Sequence, residues 1–210
     1  MCARPANPEL RAEILKAATS IVEQCGPDCV TMREVAQEVG YSPTTLYLYF
    51  KDKHDILREV ILQGFDALAD CCALAMVGPS LVDKFRQHAR AYVLWGVLHP
   101  SLYQLMLESH LDFAWKSEDM ERLGRMRVTV LQTLSEAIEA GEIRPIADRE
   151  RFLSAVRAAL HGVTSLTVSR RLRVDLTEPP ASELMEVAAA LGDDLIDHLL
   201  APRLSASSQA

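Results

Sequence analysis

Apolar residues recur at helical spacing along most of the chain, and this periodicity limits the folds that the sequence can adopt. In the first such segment Leu10, Ile14, Ala17 and Ile21 follow one another at intervals of three or four residues, which places them on one face of an α-helix. Comparable stripes occupy residues 56–68, 123–138, 152–166 and 184–199. No segment shows the strict alternation that is typical of a half-buried strand. We therefore predict an all-α protein of about nine helices.

A short helix is predicted to begin just after Thr31. A threonine followed three residues later by a glutamate, here Glu34, is a capping box. The helix should therefore cover about residues 32–39. Gly40 then ends it, because glycine readily adopts the left-handed conformation found at helix ends.

The next helix is predicted to begin at Pro43. Ser42 can accept a hydrogen bond from the first turn, and proline favours the first helical position. We expect this helix to reach about Phe50. Longer helices follow, and we therefore predict two domains, residues 1–51 and residues 52–210.

Two short helices joined by a glycine turn form the geometry of a helix-turn-helix. The second helix of such a motif lies in the major groove of DNA, with its first residues near the base edges. Threonine hydroxyls can bind base edges, tyrosine and lysine can reach phosphates, and helix starts offer free N–H groups to anions. The candidate DNA-contact residues are Thr31, Arg33, Thr44, Thr45, Tyr47, Tyr49 and Lys53.

The charge of the chain argues against DNA binding by a broad surface. The net charge is −7, and residues 1–55 hold six basic and eight acidic side chains. Phosphates must then be bound by a few well-placed groups, with a weak affinity for random DNA that falls steeply with salt.

A purely structural interpretation of the same helices stays open, since a glycine between two short helices also occurs in all-α proteins that bind no DNA. Tyr47 can belong to the core or to a contact surface. Leu46 and Phe50 are expected to be buried in either case.

Several motifs within residues 11–60 resemble, in order, the amino-terminal domain of the tetracycline-repressor (TetR) family. They are an apolar first helix followed by glycine, then "TMREVA", "GYSPTTLYLYF" and "KDKHDIL". The resemblance implies a homodimer that binds a palindromic double-stranded DNA operator, usually as a repressor, and releases it when a small molecule enters the carboxy-terminal domain. It also implies DNA contacts at the seven candidate residues. Residues 1–51 are thus expected to form the DNA-binding domain, and residues 52–210 the domain for ligand binding and dimerisation. Tyr49 stands where many members have histidine, and Thr44 stands where glycine is frequent.

The carboxy-terminal part more loosely resembles a TetR subgroup that carries a tryptophan-histidine-glycine signature. The segments "LHPSLYQLML" and "AALHGVTSL" carry this likeness. His161 and Gly162 are present, whereas the tryptophan of the signature is absent.

Large side chains are concentrated between residues 92 and 126, where we expect a sensor site. Aromatic rings with a few polar tips suit an apolar pocket with orienting groups, which indicates a hydrophobic effector. The same aromatic stripes can equally form ordinary core. The candidate pocket residues are Trp95, Tyr103, Trp115, Met126 and His161.

The last two helices are predicted to form the interface of the homodimer. Each has an apolar stripe and a polar back, and two such pairs can form a four-helix bundle across a twofold axis. The alternative is that these stripes pack within one subunit.

The chain has five cysteines, an odd number that includes the adjacent Cys71 and Cys72, and this does not suit a disulfide framework. Reduced thiols and the lack of an apolar spanning run favour a soluble cytoplasmic protein that enters no membrane. Cys25 and Cys29 lack histidines at zinc spacing, so we expect no metal or cofactor. A thiol switch at Cys71 and Cys72 stays open.

No constellation of nucleophile, base and orienting group stands out, so we expect a protein without enzymatic activity. Besides a repressor, two interpretations stay open. One is an activator, or a DNA-binding regulator that responds to no ligand, of the same fold. The other is an all-α small-molecule-binding or metabolic protein whose helix-turn-helix is only structural.

Overall fold

The computed structural model describes residues 7–172 and 180–204, which fold into nine α-helices and two short 3-10 turns. The helices are α1 (Pro8–Cys25), α2 (Met32–Glu38), α3 (Pro43–Leu46), α4 (Lys53–Ala75), α5 (Leu81–Leu98), α6 (Pro100–Leu107), α7 (Ser117–Glu139), α8 (Arg149–Val168) and α9 (Ala181–Leu200). The only β pairing within these ranges is an isolated bridge between Ile143 and Leu204. The predicted all-α class is confirmed.

The chain divides into two compact units. One comprises the chain up to Phe65 together with His99–Met120, and the other comprises Asp66–Leu98 and the chain from Glu121 onward. The first part of α4 thus belongs with α1, α2 and α3, and its apolar residues Ile56, Leu57 and Ile61 are buried. This division differs from the predicted boundary between residues 51 and 52. The separation of function at that boundary stays a prediction.

The first unit is built on a small core under α2 and α3. Ile14 and Val22 of α1, Val35 of α2 and Leu46 of α3 are fully buried, and α1 also packs against α6. The same unit contains an ion pair in which Arg58 Nη1 of α4 donates to Asp119 Oδ2 at 2.6 Å.

The helix α3 is shorter than the sequence predicts, since it ends at Leu46 and not near Phe50. The N–H groups of Leu48 and Tyr49 donate to the carbonyl oxygens of Thr45 and Leu46, at 3.1 and 2.9 Å. These bonds reach back three residues, which is the tighter 3-10 pattern.

In the second unit, α5 packs against both α8 and α9. Arg86 Nε of α5 donates to Asp197 Oδ1 of α9 at 2.7 Å. The guanidinium groups of Arg122 and Arg125 on α7 both bind Asp66 on α4. No helix in the described ranges is both long and apolar enough to cross a membrane.

Candidate nucleic-acid interface

The start of α2 is fixed by Thr31 and Glu34. The Glu34 N–H donates to Thr31 Oγ1 at 3.1 Å, as the capping box predicts, while the Thr31 hydroxyl donates to the Glu34 carboxylate. This bond from Thr31 lowers the pKa of Glu34. The Thr31 hydroxyl is therefore committed to the cap, whereas Arg33 on the first turn is exposed.

The turn between α2 and α3 depends on Gly40. Its φ of 73° lies in the left-handed region that glycine enters without strain. The Tyr41 N–H then donates to the Ala36 carbonyl oxygen at 2.9 Å, which closes the end of α2. The chain thereby enters α3 directly.

Ser42 caps α3 and separates the roles of the two neighbouring threonines. The Thr45 N–H donates to Ser42 Oγ at 3.2 Å, and the hydroxyls of Ser42 and Thr45 are 3.0 Å apart. Thr45 is thus partly occupied by the cap. Thr44 is exposed on the other side of the same turn.

The segment from α3 to residue 50 has a buried side and an exposed side. Leu46 and Phe50 are buried, as the sequence predicts. Tyr47 is 57% exposed, and the neighbouring Leu48 is also exposed. Arg11 of α1 holds its guanidinium carbon 5.0 Å from the centre of the Phe50 ring, so the buried side is closed by a cation on an aromatic face.

Tyr49 is anchored to the beginning of α1. Its hydroxyl oxygen accepts from the Asn7 N–H at 3.1 Å, and the Asn7 side chain in turn accepts from the Glu9 N–H. A tyrosine hydroxyl can accept and donate at the same time. Tyr49 can therefore still donate its own proton to another acceptor.

The start of α4 is already capped by carboxylates. The Asp55 N–H donates to Asp52 Oδ1 at 2.9 Å, and the Lys51 N–H donates to Asp55 Oδ2 at 3.1 Å. Two N–H groups that could bind a phosphate are thus occupied. The side chains of Lys51 and His54 are exposed around this end, whereas that of Lys53 is half-buried.

One turn further along α4, Arg58 forms its ion pair with Asp119. The Lys116 N–H donates to the same Asp119 oxygen at 2.8 Å. Burial alone would raise the pKa of Asp119, but the hydrogen bonds from Lys116 and Arg58 outweigh it and lower that pKa. Asp119 therefore stays charged and holds Arg58 in place.

The five candidate pocket residues fall into both units. Tyr103 is buried in the first unit, where Trp115 is at the edge of exposure and stacks at a tilt against Phe113, with ring centres 5.2 Å apart. Trp95 is buried in the second unit, and Met126 and His161 are half-buried there. Neither unit therefore contains all five residues: the first contains two of them and the second contains three.

The sequence interpretation missed His88, which is the most unusual polar side chain of the second unit. His88 is buried on α5, and its Nδ1 has no hydrogen-bond partner among the described residues. Burial lowers its pKa to about 4, so the ring is neutral at pH 7. Its position between Phe85 and Tyr92 on one helical stripe was the available signal.

No group of three or more His, Cys, Asp or Glu side chains could hold a metal ion in the part of the chain that is described. The four cysteines described, Cys25, Cys29, Cys71 and Cys72, are free thiols.

Comparisons with known proteins agree with the geometry of residues 31–53. Residues 14–60 match the family described as "Bacterial regulatory proteins, tetR family", and residues 85–191 match "Tetracyclin repressor-like, C-terminal domain". The chain is 26% identical over 195 residues to the HTH-type transcriptional regulator BetI of Cronobacter sakazakii, covering 93% of each protein. It is 25% identical over 154 residues to the HTH-type transcriptional regulator YfiR of Bacillus subtilis, covering 65% of this chain and 69% of that protein.

Solved structures show the same fold. A protein of unknown function from Rhodococcus sp. RHA1 superposes with a TM-score of 0.72 at 25% identity, over 91% of this chain and 98% of that one. The TetR-family regulator PfmR from Thermus thermophilus gives a TM-score of 0.61 at 22% identity, over 87% of this chain and 96% of that one. The chain therefore belongs to the tetracycline-repressor (TetR) family and is a DNA-binding transcriptional regulator.

Proposed function

We propose that the protein is a homodimeric repressor that binds a palindromic operator through α3 and releases it when a small hydrophobic effector binds. It works in the cytoplasm, needs no cofactor and catalyses no reaction. One observation carries the DNA-binding part. The segment of residues 43–50 exposes Thr44 and Tyr47, while Leu46 and Phe50 are buried and fix it to the rest of the unit.

The contacts divide into base readout and phosphate binding. Thr44 reads a base edge, because it is exposed and its hydroxyl and methyl can both contact a base. Thr45 reaches the adjacent base through its methyl, since its hydroxyl is bonded to Ser42. Phosphates are bound by the side chains around this turn, which are Arg33, Tyr47, Tyr49 and Lys53, and by the backbone at Thr31.

The dimer is proposed to form through α8 and α9. Within one subunit these helices pack against each other and against α5, which buries one stripe of each. A second side stays uncovered, where Leu166 is 45% exposed and Leu191 is 37% exposed. Pairing these sides across a twofold axis buries both leucines and presents two copies of α3 to one duplex.

The effector is proposed to bind in the second unit, near Trp95, Met126 and His161. The buried imidazole of His88 supports a binding role for this unit, since an unpaired polar atom in an apolar interior is costly unless a ligand pairs with it. An apolar molecule with one polar group matches such surroundings.

The DNA-binding proposal is tested by selecting duplexes from a random pool with the full-length protein at low salt. We expect enrichment of a palindrome whose half-sites are about one duplex turn apart. Light scattering should show a dimer both free and on the selected duplex. Failure to enrich any sequence would instead favour the all-α small-molecule-binding alternative.

The regulatory direction and the effector need separate measurements. A reporter placed downstream of the selected operator should fall when the protein is expressed, whereas a rise would identify an activator. Thermal-shift screening of cellular metabolites should find a compound that raises the melting temperature and releases the operator. A compound that stabilises the protein and leaves the DNA bound would contradict the effector proposal.

A further inference from the structure

Two thiols lie next to each other where α1 ends. Cys25 is the last residue of α1 and is exposed, and Cys29 closes the 3-10 turn Pro27–Cys29. Gly26 between them has a φ of 87°, which lets the chain turn back on α1. As a result Cys29 Sγ donates to the Cys25 carbonyl oxygen at 3.2 Å, and Cys25 Sγ donates to the Ile21 carbonyl oxygen at 3.4 Å.

The two side chains also interact with each other. A hydrogen bond with Cys29, together with slight burial and the charge of Cys29, raises the pKa of Cys25. A raised pKa disfavours the thiolate, so Cys25 is not expected to be the sulfur that attacks an oxidant first. When a dithiol is oxidised, one sulfur attacks the oxidant and becomes a sulfenic acid. The second sulfur then attacks that sulfenic acid and forms the disulfide.

We propose that Cys25 and Cys29 form a dithiol that hydroperoxides oxidise to an intramolecular disulfide, and that this oxidation weakens operator binding. In the first step one thiol sulfur takes an oxygen from the hydroperoxide. The O–O bond breaks, and the alcohol, or water from hydrogen peroxide, leaves with the thiol proton. The second sulfur then attacks the resulting sulfenic acid, the S–S bond forms, and its proton leaves with the hydroxyl as water. The peroxide is reduced by two electrons and the two thiols are oxidised.

The link to DNA binding is the short distance along the chain from Cys29 to the start of α2. Val30 follows directly and is fully buried, and Thr31 is the cap of α2. Forming the S–S bond breaks the hydrogen bond from Cys29 to the Cys25 carbonyl and draws the turn towards α1. Val30 and the Thr31 cap must then shift, which tilts α2 and α3 away from their phosphate contacts. This second half of the proposal rests on the proposed function.

The adjacent cysteines Cys71 and Cys72 make an internal comparison. Cys72 is fully buried, its thiol faces the His88 carbonyl oxygen at 3.9 Å, and burial raises its pKa strongly. A thiol in this position is a poor nucleophile and is shielded from peroxide. Cys71 and Cys72 are therefore expected to stay reduced, although they are adjacent in the sequence.

The first test is chemical and needs no DNA. The full-length protein is treated with hydrogen peroxide, free thiols are blocked with N-ethylmaleimide, and trypsin is added. Cys25 and Cys29 share the tryptic peptide of residues 17–33, and Cys71 and Cys72 share that of residues 59–84. We expect the first peptide to lose two hydrogens and escape blocking, while the second stays reduced. A fully blocked first peptide at peroxide doses that leave the protein folded would overturn the proposal.

The second test compares operator affinity of the reduced, oxidised and re-reduced protein, using a duplex selected by the reduced form. We expect a loss of affinity on oxidation that dithiothreitol reverses. Cys29→Ser and Cys25→Ser should each bind like the reduced protein and ignore peroxide, whereas the matched control Cys71→Ser should respond like the parent. An oxidised protein that binds unchanged would refute the regulatory role. A reduced protein that selects no duplex would instead contradict the proposed function, while the mass measurement still decides the dithiol.

Discussion

The recognition surface and the sensor candidates are held in place by interactions of different range. Around α2, α3 and α4 the decisive hydrogen bonds join residues three apart: Thr31 with Glu34, Ser42 with Thr45, and Asp52 with Asp55. In the second unit the positions depend on partners far along the chain, as in the bond from Arg86 to Asp197. The backbone turns of the recognition surface, residues 31–53, are therefore set mainly by local caps, although Tyr49 is anchored to the distant Asn7. The sensor candidates depend on the packing of whole helices.

This difference predicts how each region responds to change. Removing one cap costs about 1 kcal/mol and leaves the neighbouring turns intact. A change within the packed helices of the second unit is felt by every residue of the same core. We therefore expect local, graded effects around residues 31–55 and cooperative effects in α5, α8 and α9.

The largest effect is expected from breaking the proposed dimer, because each subunit would keep its recognition surface but bind only one half-site. Leu191→Glu places a charge on the uncovered side of α9 and should yield monomers. Operator affinity should fall by about 100-fold or more, since the second half-site is no longer bound within the same complex. Light scattering and a gel shift measure both properties. Leu74→Glu on α4, where Leu74 is 81% exposed, is the matched control, and an unchanged dimer in Leu191→Glu would rule out this interface.

The next effect concerns the buried His88. Its pKa when folded is about 4, below the ordinary value of the unfolded chain, so the unfolded state binds more protons between these two values. Stability should therefore fall as the pH drops from about 6.5 to 4, by roughly 3 kcal/mol. Urea unfolding at pH 7 and pH 4.5 measures it.

The control for this prediction is His88→Leu, which removes the titrating group and the unpaired nitrogen together. It should be at least as stable as the parent at pH 7 and lose less stability on acidification. Equal acid sensitivity in parent and variant would show that carboxylates alone cause the loss.

Two substitutions separate base readout from phosphate binding within the recognition surface. Thr44→Ala should reduce the binding free energy that distinguishes the bases at one operator position by roughly 1–2 kcal/mol, with little change at other positions. Tyr49→Phe removes the hydroxyl anchored by Asn7 and should weaken binding evenly across all sequences. Affinities for a set of single-base operator variants measure both. An even loss for Thr44→Ala would contradict its assigned role.

The smallest effect tests whether Thr31 acts as a cap or as a contact. Thr31→Ala should cost about 1 kcal/mol of stability, and Thr31→Ser should restore it, because serine caps equally well. Denaturant unfolding without DNA measures the cap. If the alanine variant is as stable as the parent but binds DNA poorly, the hydroxyl serves the phosphate and not the helix.

The sequence predicted the elements of the recognition surface closely because their signals are local. The helix cap at Thr31, the glycine turn at Gly40 and the buried Leu46 and Phe50 are all confirmed. The predicted end of α3 was wrong, since helical periodicity does not distinguish an α-turn from the 3-10 turns that follow Leu46.

Side chains of the second unit were harder to place because their surroundings come from distant segments. His88 lies on the apolar stripe of α5, which is visible in the sequence, but its burial and the lack of a partner for its Nδ1 among the described residues are seen only in the structure. The same holds for Cys25 and Cys29: their spacing is visible in the sequence, but their contact depends on the φ of Gly26. The pocket and DNA-contact residues stay predictions.

The brevity of α3 limits how much information one subunit can extract from DNA. Four residues rise only about 6 Å, less than two base-pair steps. A helix this short can contact few base pairs, so many partial matches to each half-site are expected in a genome. On the proposed palindromic operator, selectivity is then expected to come from the distance between the two half-sites and from how easily the base pairs between them bend. Changing the distance between the half-sites should therefore alter operator affinity more than changing any single base pair that α3 contacts.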